Sequence, residues 1–197
     1  MPRPLLLIDL DRTLFDTDKF IVAIWDFAEV YYGISADKER ARASNYYDHY
    51  GDMYDYKFFD HLQAVAGSGY SRSEFIAAAA AKLSGNFLYD DATIEVIDLI
   101  DAIVTFGNRD YQTFKLLLCP QLASIERHFL LEPKGQYIRR IFAQPTLLVD
   151  DKHLDGEIHE PCVFVRIDRT SRIAKSNQGI ITSLSQVPAL VHTLSSN

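Results

Sequence analysis

Leu5-Leu6-Leu7-Ile8-Asp9-Leu10-Asp11-Arg12-Thr13-Leu14-Phe15-Asp16 is the stretch on which the fold turns. Its first four residues are a continuous apolar run closed by acids. Apolar side chains at both odd and even positions suit a strand buried on both faces, as in a parallel sheet. Asp9 and Asp11 stand two residues apart where that strand ends, and open α/β sheets bind ligands at this edge. Left alone the two acids repel, and a cation between them resolves the repulsion. A plain solvated acidic turn after a strand would look the same, and this segment by itself does not choose between the two.

Working outward, the strand pattern recurs four times. Ala102-Ile103-Val104-Thr105-Phe106 ends in Gly107-Asn108, and His128-Phe129-Leu130-Leu131 ends in Glu132-Pro133. Pro145-Thr146-Leu147-Leu148-Val149 ends in Asp150-Asp151, and Cys162-Val163-Phe164-Val165-Arg166-Ile167 ends in Asp168. Helical stretches at 93–101, 112–118 and 134–143 fall between most of them. Alternating strands and helices imply βαβ units and a doubly wound parallel sheet. Only the connection after Asp151 reads as a loop.

Residues 16–91 break this rhythm and read as helical throughout. Phe20–Tyr32 has a strong apolar face, and Ala36–Tyr50 is a second helix candidate. Ser71-Arg72-Ser73-Glu74 has capping-box spacing ahead of the alanine run 77–81, a strong helix former. Gly67-Ser68-Gly69 and Ser84-Gly85-Asn86 punctuate between helices. The expected organisation is therefore an α/β core, residues 1–15 and 92–197, with an all-helical block, 16–91, inserted after the first strand.

Composition narrows the function classes. With 197 residues the chain is long enough for one domain plus an insertion. Apolar residues at 48% and charged residues at 24% describe a globular chain. Twenty Lys plus Arg against 27 Asp plus Glu leave a net charge of −7. Such a surface disfavours nucleic acid and anionic membranes as general partners, so any anion site must be built locally. Cys119 and Cys162 form no CxxC, as expected for a reducing compartment. No stretch reaches the roughly 18–20 apolar residues of a membrane helix. These features together predict a cytoplasmic protein, and oligomeric state leaves no trace in them.

Asp9-x-Asp11-x-Thr13, followed by the apolar pair Leu14-Phe15 and Asp16, resembles the nucleophile motif of the haloacid dehalogenase-like hydrolase superfamily. That resemblance implies three further motifs in fixed order, and the chain offers a match for each. Val104-Thr105 is an apolar strand ending in a hydroxyl residue. Lys134 stands at a helix start in Glu132-Pro133-Lys134-Gly135. Asp150-Asp151, with Asp155 four residues after the second of them, follows a buried strand. The four motifs span residues 9–155. By the same resemblance, block 16–91 is a helical cap, of the kind that closes over a site and selects the leaving group.

The chemistry that the resemblance implies is phosphate ester hydrolysis. Asp9 would be the nucleophile that forms an aspartyl-phosphate, and Asp11 the general acid and then base. Mg²⁺ would be held by Asp9, the Asp11 backbone carbonyl and Asp151. Thr105, the amides around Phe106 and Gly107, and Lys134 would bind the phosphoryl oxygens. Thr13 would order the loop, while Asp150 or Asp155 would assist the metal or orient Lys134. The family's dehalogenases and phosphonate-cleaving members lack the acid matching Asp11, so its presence points to a small phosphorylated substrate. A phosphosugar mutase would share every one of these residues, and a non-catalytic binding protein could retain the fold.

Each residue also has an ordinary reading. Thr105 could be a plain strand residue and Lys134 a solvated lysine. Lys115, which follows the second motif closely, reads as a helix-surface residue. Arg12 occupies a position commonly glycine in the motif, and its guanidinium either binds substrate or points to solvent. The inserted block is rich in aromatics, including Trp25, Tyr46, Tyr50 and Phe58. They either stack on a planar ligand or fill a small helical core, and the latter is the expectation.

Overall fold

The structure is a computed structural model and describes residues 3–51, 53–154, 156–171 and 179–196. In chain order these residues form β1 (Leu5–Ile8), α1 (Thr17–Tyr32), α2 (Ala36–Arg42), β2 (Tyr47–Tyr50), β3 (Met53–Tyr56), α3 (Phe58–Ala66) and α4 (Arg72–Leu83). There follow α5 (Ile94–Ile97), β4 (Ile100–Phe106), α6 (Arg109–Leu117), β5 (Glu126–Leu130) and α7 (Lys134–Ile141). The chain ends with β6 (Thr146–Asp150), β7 (Cys162–Ile167), β8 (Ile180–Ile181) and α8 (Val187–Ser196). It divides into two compact units. One holds Met1–Phe15, Leu88–Thr105 and Ser124–Asn197; the other holds Asp16–Phe87 and Phe106–Ala123.

The first unit is built on a six-stranded sheet of order β5-β4-β1-β6-β7-β8. β1 pairs in parallel with β4 on one side and β6 on the other. Its central place explains its composition, since Leu6, Leu7 and Ile8 are all 0% exposed. The chain leaves β1 toward one edge and returns to its other side at β6. The strand order therefore reverses between these two neighbours, and a doubly wound sheet opens its ligand crevice at such a switch point. Leu7, Ala102, Val104, Leu130, Ile138, Leu148 and Leu154 form the core beside the sheet. The α/β doubly wound expectation holds, including the loop that joins β6 to β7.

That loop has a packing role. A Cβ placed on Gly135, in the first turn of α7, would lie 2.1 Å from the Glu157 carbonyl oxygen. Backbone meets backbone here, and neither can swing away as a side chain would. Gly135→Ala is expected to shift α7 and destabilise the protein by about 1–3 kcal/mol, the usual range for overpacking. A lowered thermal midpoint checks this; an unchanged midpoint would mean that the loop yields freely.

The second unit departs from the all-helical expectation at one place. Tyr47–Tyr50 and Met53–Tyr56 form an antiparallel hairpin, β2 with β3, in which Tyr47 faces Tyr56 and Tyr50 faces Met53. Closely spaced tyrosines favour a pleated surface, and Gly51 supplies the positive φ of 63° at the turn. The expected helix over Ala36–Tyr50 accordingly stops at Arg42. Helix 93–101 is also cut short. Ile100 pairs with Leu6 in the sheet, so the apolar run is claimed by β4 and only Ile94–Ile97 stays helical. Ser71 takes the N-cap position of α4, but its hydroxyl caps no backbone N–H.

The aromatics of this unit pack one another, as expected. Phe58 lies 5.6 Å from Trp25, 5.2 Å from Tyr111 and 6.1 Å from Phe114, ring centre to ring centre. Asp16 caps α1 by accepting from the Lys19 N–H at 3.0 Å, and Gly33 ends the helix at φ 71°. Lys115 is not at the surface. It is 3% exposed, with its ammonium 4.2 Å from the Tyr111 ring centre, where an aromatic face offsets part of the cost of burying the charge. No described helix is long and apolar enough to cross a membrane.

Candidate active site

Within the sheet unit, the adjacent carboxyl ends of β1 and β6 bring distant residues together. Register pairs Ile8 with Val149, and the Asp9 N–H donates to the Val149 carbonyl at 2.9 Å. Asp9 and Asp150 thus become neighbours. One oxygen from each of Asp9, Asp150 and Asp151 lies within 4.8 Å of the others. Lys134, the first residue of α7 after Pro133, donates from Nζ to Asp9 Oδ1 at 2.5 Å and also to Asp150 Oδ2. Asp150 Oδ1 accepts from the Lys152 N–H at 2.8 Å. Asp150 thus bonds the Lys134 ammonium through one oxygen and the Lys152 backbone through the other.

The charges do not balance. Asp9, Lys134 and Asp150 are 5%, 5% and 1% exposed. Burial pushes the Asp9 carboxyl up to about 8; Lys134 opposes this, while Asp150, Asp151 and Asp11 reinforce it. Asp151 rises to about 6, chiefly through burial and then the charge of Asp150. Burial disfavours the Lys134 ammonium, but Asp150 and Asp9 outweigh burial and raise it above its ordinary value. Three acids face one lysine, and the oxygen donors that remain suit a hard divalent cation such as Mg²⁺. The donor set fits that ion on chemistry alone.

The other expected residues are placed as follows. Asp11 is half-buried on the turn after β1 and contributes to the potential felt by Asp9. Arg12 is exposed with φ 60°. Thr13 and Thr105 are 0% and 1% exposed, and neither hydroxyl has a hydrogen-bond partner among the described residues. A buried hydroxyl without a partner costs roughly 1–3 kcal/mol, which a bound anion at the end of β4 would relieve for Thr105. Asp155 lies outside the described residues.

Past Thr105 the chain enters the second unit. Gly107 has φ 131°, and a Cβ there would lie 2.7 Å from Gln112 Nε2, so this position needs glycine. Gln112 Nε2 donates to the Phe106 carbonyl at 2.8 Å, and Asp55 Oδ1 accepts from the Asn108 N–H at 2.7 Å. Asp55 is 2% exposed and pairs with Lys57 at 3.2 Å. Sequence reading missed both partners of this turn. Asp55 sits in the hairpin taken for helix, and Gln112 looks like any polar helix residue.

No protein-family model matches the sequence, and no curated protein matches it. Solved structures do. A HAD phosphatase from Thermococcus onnurineus is 20% identical, with TM-score 0.59 over 95% of this chain and 97% of that one. A structure described as a haloacid dehalogenase-like hydrolase from Burkholderia xenovorans LB400 is 13% identical, with TM-score 0.65 over 99% and 98%. A magnesium-bound structure described as a HAD-hydrolase from Bacillus subtilis is 15% identical, with TM-score 0.59 over 97% and 99%. The chain thus has the α/β fold of the haloacid dehalogenase-like hydrolases.

Proposed function

We propose that this protein is a Mg²⁺-dependent phosphatase that hydrolyses a small phosphate monoester through a phosphorylated Asp9. The observation that carries the reading is the cluster of Asp9, Asp150 and Asp151 at the switch point of the sheet, with Lys134 bonded to the first two. In this reading Asp9, Asp151 and the Asp11 carbonyl hold Mg²⁺, whose charge makes an anionic nucleophile compatible with an anionic phosphoryl group. The Asp9 carboxylate attacks phosphorus, and the bond to the leaving oxygen breaks as Asp11 gives that oxygen a proton. Asp11 then takes a proton from water as the water attacks phosphorus, which frees Asp9 and inorganic phosphate. The Thr105 hydroxyl and the Lys134 ammonium receive the phosphoryl oxygens. Asp150 keeps Lys134 aimed at Asp9. Burial of Asp9 and Lys134 strengthens each of these interactions by excluding water.

Chelator-treated protein should release inorganic phosphate from some member of a broad panel of phosphate monoesters when Mg²⁺ is restored, and release none in EDTA. Absence of release across the whole panel with Mg²⁺ present would sink the reading. Phosphate release also separates it from a phosphosugar mutase, which would return an isomer.

A further inference from the structure

The turn that carries Asp11 is held from outside its own segment. Arg169, two residues beyond the end of β7, donates from Nη2 to the Thr13 carbonyl at 2.6 Å. Its Nε donates to the Arg12 carbonyl at 3.2 Å. The same guanidinium forks onto Asp91, Nη1 to Oδ2 at 3.0 Å and Nη2 to Oδ1 at 3.1 Å. Its carbon sits 3.6 Å from the centre of the Tyr89 ring. Asp91 is fixed in turn, because Oδ2 also accepts from the Leu184 N–H at 2.9 Å.

The held turn is one that resists its own shape. Arg12 has φ 60°, a left-handed conformation that costs a residue bearing a Cβ about 1–2 kcal/mol. Internal bonds, Arg12 N–H to the Phe15 carbonyl at 2.8 Å and Phe15 N–H to the Leu10 carbonyl at 2.9 Å, close the turn on one side. Arg169 holds the two carbonyls directly after Asp11. A planar fork can grip two backbone oxygens and a carboxylate at once, which a single ammonium cannot do in the same geometry.

We infer that Arg169 is a positioning residue for Asp11. By fixing the Arg12 and Thr13 carbonyls it sets the aim of the carboxyl that protonates the leaving oxygen. The inference rests on the phosphatase reading above, and it extends the machinery to a residue on the far side of the sheet sequence.

The test compares two substrates. Nitrophenolate leaves readily without a proton, whereas an alkoxide needs one. Wild type, Arg169→Lys and Arg169→Met are assayed with Mg²⁺ on p-nitrophenyl phosphate and on the best alkyl monoester of the panel. For Arg169→Met, kcat/KM, which reports the step that expels the leaving group, should fall about 100-fold on the alkyl ester and less than about fivefold on p-nitrophenyl phosphate, the difference being the share of general acid catalysis. The hydrolysis of phosphorylated Asp9, in which Asp11 is the base, is common to both esters and enters kcat, so kcat/KM carries the comparison; Arg169→Lys should fall between. Equal losses of kcat/KM on both esters, or no loss, would overturn the inference and leave Arg169 as a brace for the fold. Should Arg169→Met fail to fold, the lysine variant carries the same comparison alone. A wild type inert toward every ester removes the phosphatase reading itself, an outcome distinct from an active wild type with indifferent variants.

Discussion

Asp9→Asn is expected to lower turnover by about 10³-fold or more, a barrier increase of about 4 kcal/mol, while the protein stays folded. The amide matches the carboxylate in shape but is no nucleophile toward phosphorus. Stability should hold because Lys134 keeps Asp150 as its partner. Burial already pushes the Asp9 carboxyl up to about 8, so removing its charge relieves the site. Steady-state kinetics on the best ester and a thermal melt together check this. Turnover within tenfold of wild type would exclude Asp9 as nucleophile. Unfolding would make it a structural partner of Lys134 instead.

The second large effect is expected at Lys134→Met. The apolar replacement leaves Asp9 and Asp150 buried and facing each other with no ammonium between them. Breaking a buried pair in this way costs about 3–5 kcal/mol. For a chain of this size that lowers the thermal midpoint by roughly 10 °C. Mg²⁺ should recover part of the loss, since a ligand at 100 times its Kd contributes about 2.7 kcal/mol, and the more acidic variant should respond more than wild type. Turnover should fall at least about 100-fold, as for the loss of one preorganised positive donor. Melts in EDTA and in Mg²⁺ give both numbers. If neither the midpoint nor the response to Mg²⁺ moved, Asp9 and Asp150 would not be sharing Lys134.

The sheet was legible because its strands are buried on both faces. Leu5–Ile8 and Thr146–Asp150 show unbroken apolar runs ended by acids, a pattern that only a central strand of a covered sheet needs. Asp9 was legible for the same reason, since it lies at a boundary that the hydrophobic pattern marks, whereas Asp150, Asp151 and Lys134 were singled out by the resemblance to the family's ordered motifs. The hairpin was not. Tyr47-Asp48-His49-Tyr50 has no alternation of apolar with polar, and its pairing with Met53–Tyr56 is decided by contacts the local pattern does not encode. Ile100 fits helix or strand equally well until Leu6 claims it. Lys115 looked exposed because lysine usually is, although Tyr111, four residues earlier on the same helix, stands at the spacing that brings its ring under the ammonium. Arg169 lies more than 150 residues from the turn it holds, and no spacing rule spans that distance.

The inserted block enters and leaves the chain at one place. Asp16 N–H donates to the Phe87 carbonyl at 2.7 Å, and Tyr89 N–H donates to the Leu14 carbonyl at 3.0 Å. Such a doorway invites the thought that residues 16–87 are an exchangeable module, to be cut out and replaced by another. The packing of α6 forbids it. Phe114 lies 6.0 Å from Phe20, 6.1 Å from Phe58 and 6.3 Å from Phe75, and Gly85 N–H donates to the Leu118 carbonyl at 2.8 Å. A helix that the chain makes only after β4 has taken its apolar partners from the insertion. A graft that moved residues 16–87 alone would strand that helix, so the smallest transplantable piece is 16–87 together with 106–123.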